Sequence, residues 1–254
     1  MFEMWLPVAV CLFLWWLGTG IVLRLDSRPA VTYHRTMIIF TAVALVSIAT
    51  LVVLRTQTTV LSAYLAFLAT IVIWGWLEFL HYSGYLVGPR TSKCPQGVSH
   101  RLRFMYALHA MLYHEIALAA GAVSLWFLTM GSANKTAFYT YLVLWLMRIS
   151  AELNVFFGVA YLPEEWLPKR LQYLMSYRRI RRFNAFFPVA VTLATLVCIS
   201  VFVQSPSALV DAHQHTANLL IGTLLFLAIV EHWLLVLPVK SASLWLWAHG
   251  KAVS

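Results

Sequence analysis

Apolar residues do not alternate with polar ones along this chain; they run in blocks. Apolar stretches occupy about 5–23, 36–54, 59–80, 104–128, 136–157, 185–204 and 216–237, with most polar residues gathered between them. Each block is about 19–25 residues long, enough to cross a hydrocarbon core of about 30 Å as a helix. The pattern predicts an all-α polytopic membrane protein with seven transmembrane helices in a single integral membrane domain, residues 1–254. The tightest junction is Arg55-Thr56-Gln57-Thr58. A hairpin there makes the second and third spans separate; without it the chain has six spans and another topology. Met1 to Pro7 carries Glu3 and no basic residue, which is not the start of a signal peptide, so the first block reads as a retained helix.

The polar segments set orientation. Arg24, Arg28 and Arg35 flank the first loop; Arg90, Lys93, Arg101 and Arg103 lie in 81–103; Lys169, Arg170, Arg178, Arg179, Arg181 and Arg182 lie in 158–184; Lys240 and Lys251 follow the last span. Of the 18 basic residues only Arg55, Lys135 and Arg148 fall elsewhere. The positive-inside rule therefore puts the N-terminus outside and the C-terminus in the cytoplasm. In the 158–184 loop, Leu167, Leu171 and Leu174 recur at helical spacing, with Ile180 beyond, among Lys169, Arg170, Arg178, Arg179, Arg181 and Arg182. This spacing predicts a cationic amphipathic helix on the membrane surface between the fifth and sixth spans. A basic loop that only sets topology is the simpler alternative.

Composition narrows the class. Charged residues make up 11% of the chain and hydrophobic ones 61%, against about 25% charged in soluble proteins. The net charge of +9 raises nucleic acid as a partner, but its segregation to one side fits topology and anionic lipid instead. The lipid bilayer is the expected partner, with no nucleic acid. Cys11 and Cys198 lie in apolar blocks and Cys94 in a loop, without a C-x-x-C pair. No lysine falls in the last span, which excludes a retinal Schiff base, and no Walker loop or G-x-S-x-G is present. The tryptophans read as interface anchors and packing, too scattered for a cofactor box.

The candidate chemistry is intramembrane. Glu78, Glu115, Glu152 and Glu231 are four of only nine acids, and all lie inside spans, where each costs about 2.5–3.5 kcal/mol. His81, His109, His114 and His232 accompany them. Glu78, Glu152 and Glu231 fall about 3–6 residues from the predicted cytoplasmic ends of their helices, at similar depth. A shared polar pocket is expected in the cytoplasmic half of the bundle, built from Glu78, His81, His109, His114, Glu115, Arg148, Glu152, Asn154, Glu231 and His232. Glu78-x-x-His81 shares one helix face and has the spacing of carboxylate-bridged di-iron bundles, but occurs once. Glu78, His81, His114, Glu115, Glu152, Glu231 and His232 are the metal candidates. His109 and His114 lie about 140° apart around their helix, so both cannot face one point. The alternative is a structural network, with Arg148 and Glu152 as an i, i+4 ion pair and Asn154 hydrogen-bonding across helices.

A family resemblance joins these residues. Trp76-Leu77-Glu78-Phe79-Leu80, Gly84-Tyr85-Leu86-Val87-Gly88-Pro89-Arg90 and Cys94-Pro95 look like one signature, and His114-Glu115 like another. The longest runs from Trp145-Leu146-Met147-Arg148 through Glu152-Leu153-Asn154-Val155-Phe156-Phe157-Gly158-Val159 to Leu167-Pro168, Tyr173-Leu174, Ser176-Tyr177 and Phe187-Pro188. Glu231-His232-Trp233, Leu237-Pro238 and Leu244-Trp245-Leu246-Trp247 follow. From about residue 70 onward the chain resembles the PuhE family, photosynthetic complex assembly proteins of purple phototrophic bacteria. The departure is at Ala160-Tyr161, where the family pattern has Pro-Asn. The resemblance implies a role in assembling the reaction centre and light-harvesting complex, or in bacteriochlorophyll supply, in the bacterial cytoplasmic (inner or intracytoplasmic) membrane. It implies reaction-centre or light-harvesting subunits and pigment as partners, and assigns no residue a role.

Three readings follow. The first is a non-enzymatic membrane assembly factor. The second is a membrane oxidoreductase whose carboxylate–histidine metal centre acts on a tetrapyrrole or another lipid-soluble substrate. The third is a pigment-binding structural subunit. A metal ion and bacteriochlorophyll are the cofactor candidates.

The topology is directly testable. Reporter fusions after Gly131 and Gln204 should read as periplasmic, and fusions after Gly158 and Gly250 as cytoplasmic; a cytoplasmic signal at Gly131 overturns the assignment.

Overall fold

The structure, a computed structural model, describes residues 2–162, 167–205, 211–239 and 241–248. Lys240, Lys251 and the start of the expected cationic helix, residues 163–166, lie outside the described residues. The chain forms α1 (Phe2–Asp26), α2 (Tyr33–Leu54), α3 (Val60–Tyr82), α4 (His100–Thr129), α5 (Thr136–Phe157), α6 (Phe186–Gln204) and α7 (Ala212–Leu234). All seven are long and apolar enough to cross a membrane. Short 3-10 helices cover Ala30–Thr32, Lys169–Tyr177 and Ser241–Trp245.

The hairpin at residues 55–58 is real. Thr59 caps α3 reciprocally: the Ser62 amide donates to Thr59 Oγ1 at 3.1 Å, and the Thr59 amide donates to Ser62 Oγ at 3.0 Å. From the α4–α5 turn, Asn134 seals the end of α2, donating through Nδ2 to the Leu54 carbonyl at 3.3 Å. The last helix starts earlier than its apolar block, at Ala212 rather than near 216, and ends at Leu234 rather than near 237. Asp211 caps it through the Gln214 amide. The polar start is absorbed by partners: His213 Nδ1 bonds the Thr59 carbonyl at 3.0 Å, and His215 Nδ1 bonds the Ser205 hydroxyl at 2.9 Å.

Two helices form the centre. Within their apolar windows α7 is 61% buried and α3 44%, against 22–28% for the others. Helices α1, α3, α5 and α7 pack on one another, α2 lies against α3, α6 against α7, and α4 against α5 and α3. Small residues permit the close approaches, as where Ala63 meets Ala217. Gly121 admits the Tyr141 ring, whose hydroxyl donates to the Leu118 carbonyl at 3.0 Å.

The α3–α4 connection is more than a loop. It turns at Gly84 (φ 81°) and folds back along α4. The Val87 carbonyl accepts from the amides of Tyr113 at 2.9 Å and His114 at 3.3 Å, one at each bond, in the middle of α4. A foreign carbonyl thus enters the helix's own ladder. Irregular backbone at the level of His114 is sustainable because protein encloses it.

Where a cationic amphipathic helix is expected, a 3-10 helix, Lys169–Tyr177, packs against α4, with Arg170 reaching the ends of α1–α3. Leu171 and Tyr177 are buried. Arg170 turns inward rather than to the membrane surface: it pairs with Asp26, donates to the Tyr82 carbonyl at 2.5 Å and to the Tyr33 hydroxyl at 2.8 Å. The Tyr177 hydroxyl accepts from Arg90 at 2.8 Å and donates to the Ser92 carbonyl at 2.6 Å. Arg178, Arg179, Arg181 and Arg182 follow outside any helix, with Ile180 bridged in parallel to Val159.

Gly88 tests the folded-back loop. A Cβ there would lie 1.9 Å from the His109 carbonyl oxygen, whereas one at Gly18 would meet only Ile71 at 3.6 Å. Gly88→Ala should lower accumulation of folded protein in detergent extracts several-fold, and Gly18→Ala should leave it unchanged. Equal accumulation of both variants would contradict the loop's position.

Candidate functional site

Three helices converge on Arg148. Glu78 and His81 stand one turn apart near the end of α3, His114 and Glu115 lie at the middle of α4, and Arg148 and Glu152 lie one turn apart on α5. Arg148 Nη1 is 3.3 Å from Glu78 Oε1; Nη2 is 2.6 Å from Glu152 Oε1 and 3.8 Å from Glu115 Oε1. The contacts are close, but these carboxylate oxygens lie off the N–H directions and receive no directed hydrogen bond. The association is therefore chiefly charge pairing, strengthened by the low-dielectric surroundings. Three carboxylates surround one guanidinium, so the cluster holds more acid than base.

Two histidines close its inner side. The His81 and His114 rings stack with centroids 4.3 Å apart and planes 28° from parallel. His81 Nδ1 lies 3.0 Å from the Leu86 carbonyl, so that nitrogen carries the proton. His114 is fully buried, its Nε2 3.7 Å from Glu78 Oε1, and neither ring nitrogen has a hydrogen-bond partner. The Leu86 carbonyl comes from the folded-back loop, so that segment orients the histidine pair.

The remaining expected residues are placed elsewhere. Glu231 accepts from Trp15 Nε1 at 3.0 Å and faces α1. His232 is saturated by the Ala228 carbonyl at 2.8 Å and the Ser150 hydroxyl at 2.9 Å. Asn154 donates to the Ser150 carbonyl at 2.9 Å and accepts from Asn184 Nδ2 at 3.1 Å. His109 is exposed on α4. The single ten-residue pocket expected from depth resolves into an Arg148 cluster of Glu78, His81, His114, Glu115 and Glu152, plus separate local bonds.

The cluster does not fit a metal. Among the described residues no group of three or more His, Cys, Asp or Glu side chains is arranged to hold an ion. Arg148 occupies the space between Glu78, Glu115 and Glu152 that a cation would take. The arrangement links α3, α4 and α5 through one half-buried guanidinium.

Sequence reasoning missed several partners. Asn184 donates to the Gly158 carbonyl at 2.9 Å and accepts from the amides of Phe186 and Phe187 at 3.0 Å each, tying the end of α5 to the start of α6. Its signal was an Asn shortly before an apolar block. Four tryptophans that look scattered in sequence gather beside α1: the rings of Trp15 and Trp245 lie 5.2 Å apart, and those of Trp16 and Trp247 5.3 Å. Trp245 Nε1 donates to the Trp16 carbonyl at 2.8 Å.

A family model described as a protein of unknown function, DUF3623, matches residues 1–253. A protein of Rhodobacter capsulatus, described as an uncharacterized 30.4 kDa protein in the puhA 5′ region, is 30% identical over 247 residues, covering 96% of this chain and 90% of its own length. No solved structure matches.

The Arg148 cluster predicts a graded rescue. Removing one partner from a buried ionic set costs about 3–5 kcal/mol. Arg148→Met alone should lower the thermal midpoint of the detergent-solubilised protein most. Adding Glu152→Gln should recover part of the loss, and adding Glu78→Gln more. Equal losses in the single and triple variants would contradict the charge-pairing account.

Proposed function

We propose, for a chain that belongs to the DUF3623 family and with it to the PuhE family of the puhA region, that it is a membrane-embedded assembly factor for the photosynthetic reaction centre and light-harvesting complex or its bacteriochlorophyll supply. The observation that carries this reading is the near full-length relative named for its position in the puhA 5′ region. It agrees with the resemblance of the motifs from about residue 70 onward to photosynthetic complex assembly proteins. The protein works in the bacterial cytoplasmic or intracytoplasmic membrane, with its N-terminus periplasmic and its C-terminus cytoplasmic.

The geometry supports a scaffold over a catalyst. The polar cluster is a set of charge partners around Arg148, whose guanidinium lies among the three carboxylates. The outer face of α2 is apolar and exposed at Ile38, Ile39, Val46 and Val53, and that of α6 at Leu193 and Leu196. Such faces meet lipid, or the transmembrane helices of reaction-centre and light-harvesting subunits during assembly. The oxidoreductase reading draws on Glu78, His81 and His114 standing together, and Arg148 among the acids counts against it.

Deletion of the gene in a phototrophic host tests this. Reaction-centre and light-harvesting absorption should fall several-fold, while extracted pigment keeps its normal composition, and the intact gene should restore the complexes. Unchanged complexes would overturn the proposal. Accumulation of a chemically altered tetrapyrrole would replace it with the enzyme reading.

A further inference from the structure

The ends of α4, α5 and α6 meet at one edge of the bundle, and among the described residues the charge there is unbalanced. The charges of Arg179, Arg103 and Arg181 act together at His100, the first residue of α4. Among the described residues none of Arg103, Arg179, Arg181 and Arg182 forms a salt bridge. The cluster is built rather than incidental. Ile180 bridges Val159, and the Arg181 amide donates to the Val159 carbonyl at 3.3 Å, which holds the segment against the end of α5. The aliphatic stem of Arg181 lies over Gly158, where a Cβ would come within 2.9 Å of it. Arg103 is buried beneath, its guanidinium 4.5 Å from the Phe156 ring centroid and donating to the Phe156 carbonyl at 3.2 Å. Its Nε is buried without a partner.

Large apolar side chains stand out among these arginines. Ile180 is 73% exposed and Phe183 56%. In water that combination is unfavourable, whereas at a membrane interface apolar side chains enter the acyl region and arginines stay at headgroup level. The helix ends fit this level: α5 ends at Phe157 and α6 begins at Phe186, only three residues after Phe183. Guanidinium groups match phosphate oxygens in geometry, and the start of α4 adds its own positive end.

We propose that the surface formed by His100, Arg103, Arg179 and Arg181, flanked by Ile180 and Phe183, binds the phosphate headgroup of an anionic phospholipid. Ile180 and Phe183 select a lipid over a free anion, because a free anion gains nothing from exposed apolar side chains. The proposal is independent of the assembly reading.

The test uses the full-length protein in detergent with spin-labelled phosphatidylglycerol and phosphatidylcholine as probes. The unaltered protein should prefer phosphatidylglycerol, and the preference should weaken with salt. Arg179→Gln with Arg181→Gln should weaken phosphatidylglycerol binding about tenfold or more, and Arg179→Lys with Arg181→Lys should retain most of it. Ile180→Ser with Phe183→Ser, which leaves every charge in place, is the second variant should the first fail to fold, and it too should bind phosphatidylglycerol more weakly. Equal binding of the two lipids by the unaltered protein would overturn the proposal. So would unchanged phosphatidylglycerol binding in the Gln variant. Full displacement by millimolar inorganic phosphate, with unchanged binding in the Ser variant, would also overturn it, reducing the surface to a free-anion site.

Discussion

A guanidinium inside a membrane protein is tolerable only where opposite charge is brought to it, and at Arg148 that charge comes from three helices. Glu152 is local, one turn along α5, but Glu78 and Glu115 are delivered by α3 and α4. The delocalised guanidinium spreads its charge over Nη1, near Glu78, and Nη2, near Glu152 and Glu115, so one side chain pairs with three helices' carboxylates at once. The relative rotation and depth of α3, α4 and α5 are thereby constrained together. A slip of one turn, about 5.4 Å, in any of them would leave a charge unpaired in low dielectric.

Bringing α4 to this position has a structural consequence. The His114–Glu115 pair sits in the middle of α4, yet Glu78 lies only a turn from the end of α3, so the connecting chain must fold back between them. That accounts for the tight turn at Gly84, for the bare backbone at Gly88, and for the Val87 carbonyl meeting α4. The same segment lends Leu86 to His81, so the loop both results from the cluster and orients it. Elsewhere the connections do a simpler version of this task. Asn134, Arg103 and Asn184 each donate to the last carbonyls of a neighbouring helix, which have no intrahelical partner.

The helices were legible because a membrane enforces the length of an apolar block; α5 spans Thr136–Phe157, where the hydropathy pattern puts it. The Arg148–Glu152 pair was legible because spacing within one helix determines it. Counting residues to a helix end grouped Glu78 with Glu152, which do share Arg148. Depth is only one coordinate, however. Glu231 was grouped with Glu78 by depth, but it faces Trp15 on α1, because the direction a residue takes around its helix depends on neighbours the sequence does not specify. The polar start of α7 was missed for a related reason. His213 and His215 look too costly for a span until Thr59 and Ser205 are seen to receive them. Partners that are backbone carbonyls, such as those of Leu86 and Val87, carry no side-chain signature at all.

The distribution of satisfied and unsatisfied groups bears on where this protein meets other molecules. A reacting site needs a position left open for substrate beside its acids and bases. Around Arg148 the guanidinium lies among the three carboxylates, and His81, held by the Leu86 carbonyl, stacks on His114, whose ring nitrogens have no hydrogen-bond partner. Such a cluster stiffens the bundle, because separating its half-buried charges would leave each without its partner. At the rim, arginines stand beside exposed apolar side chains after the docked 3-10 helix, and further apolar side chains are exposed along the outer faces of α2 and α6. A charge-paired interior with a cationic and apolar periphery supports the proposed reading of a protein that holds other membrane components.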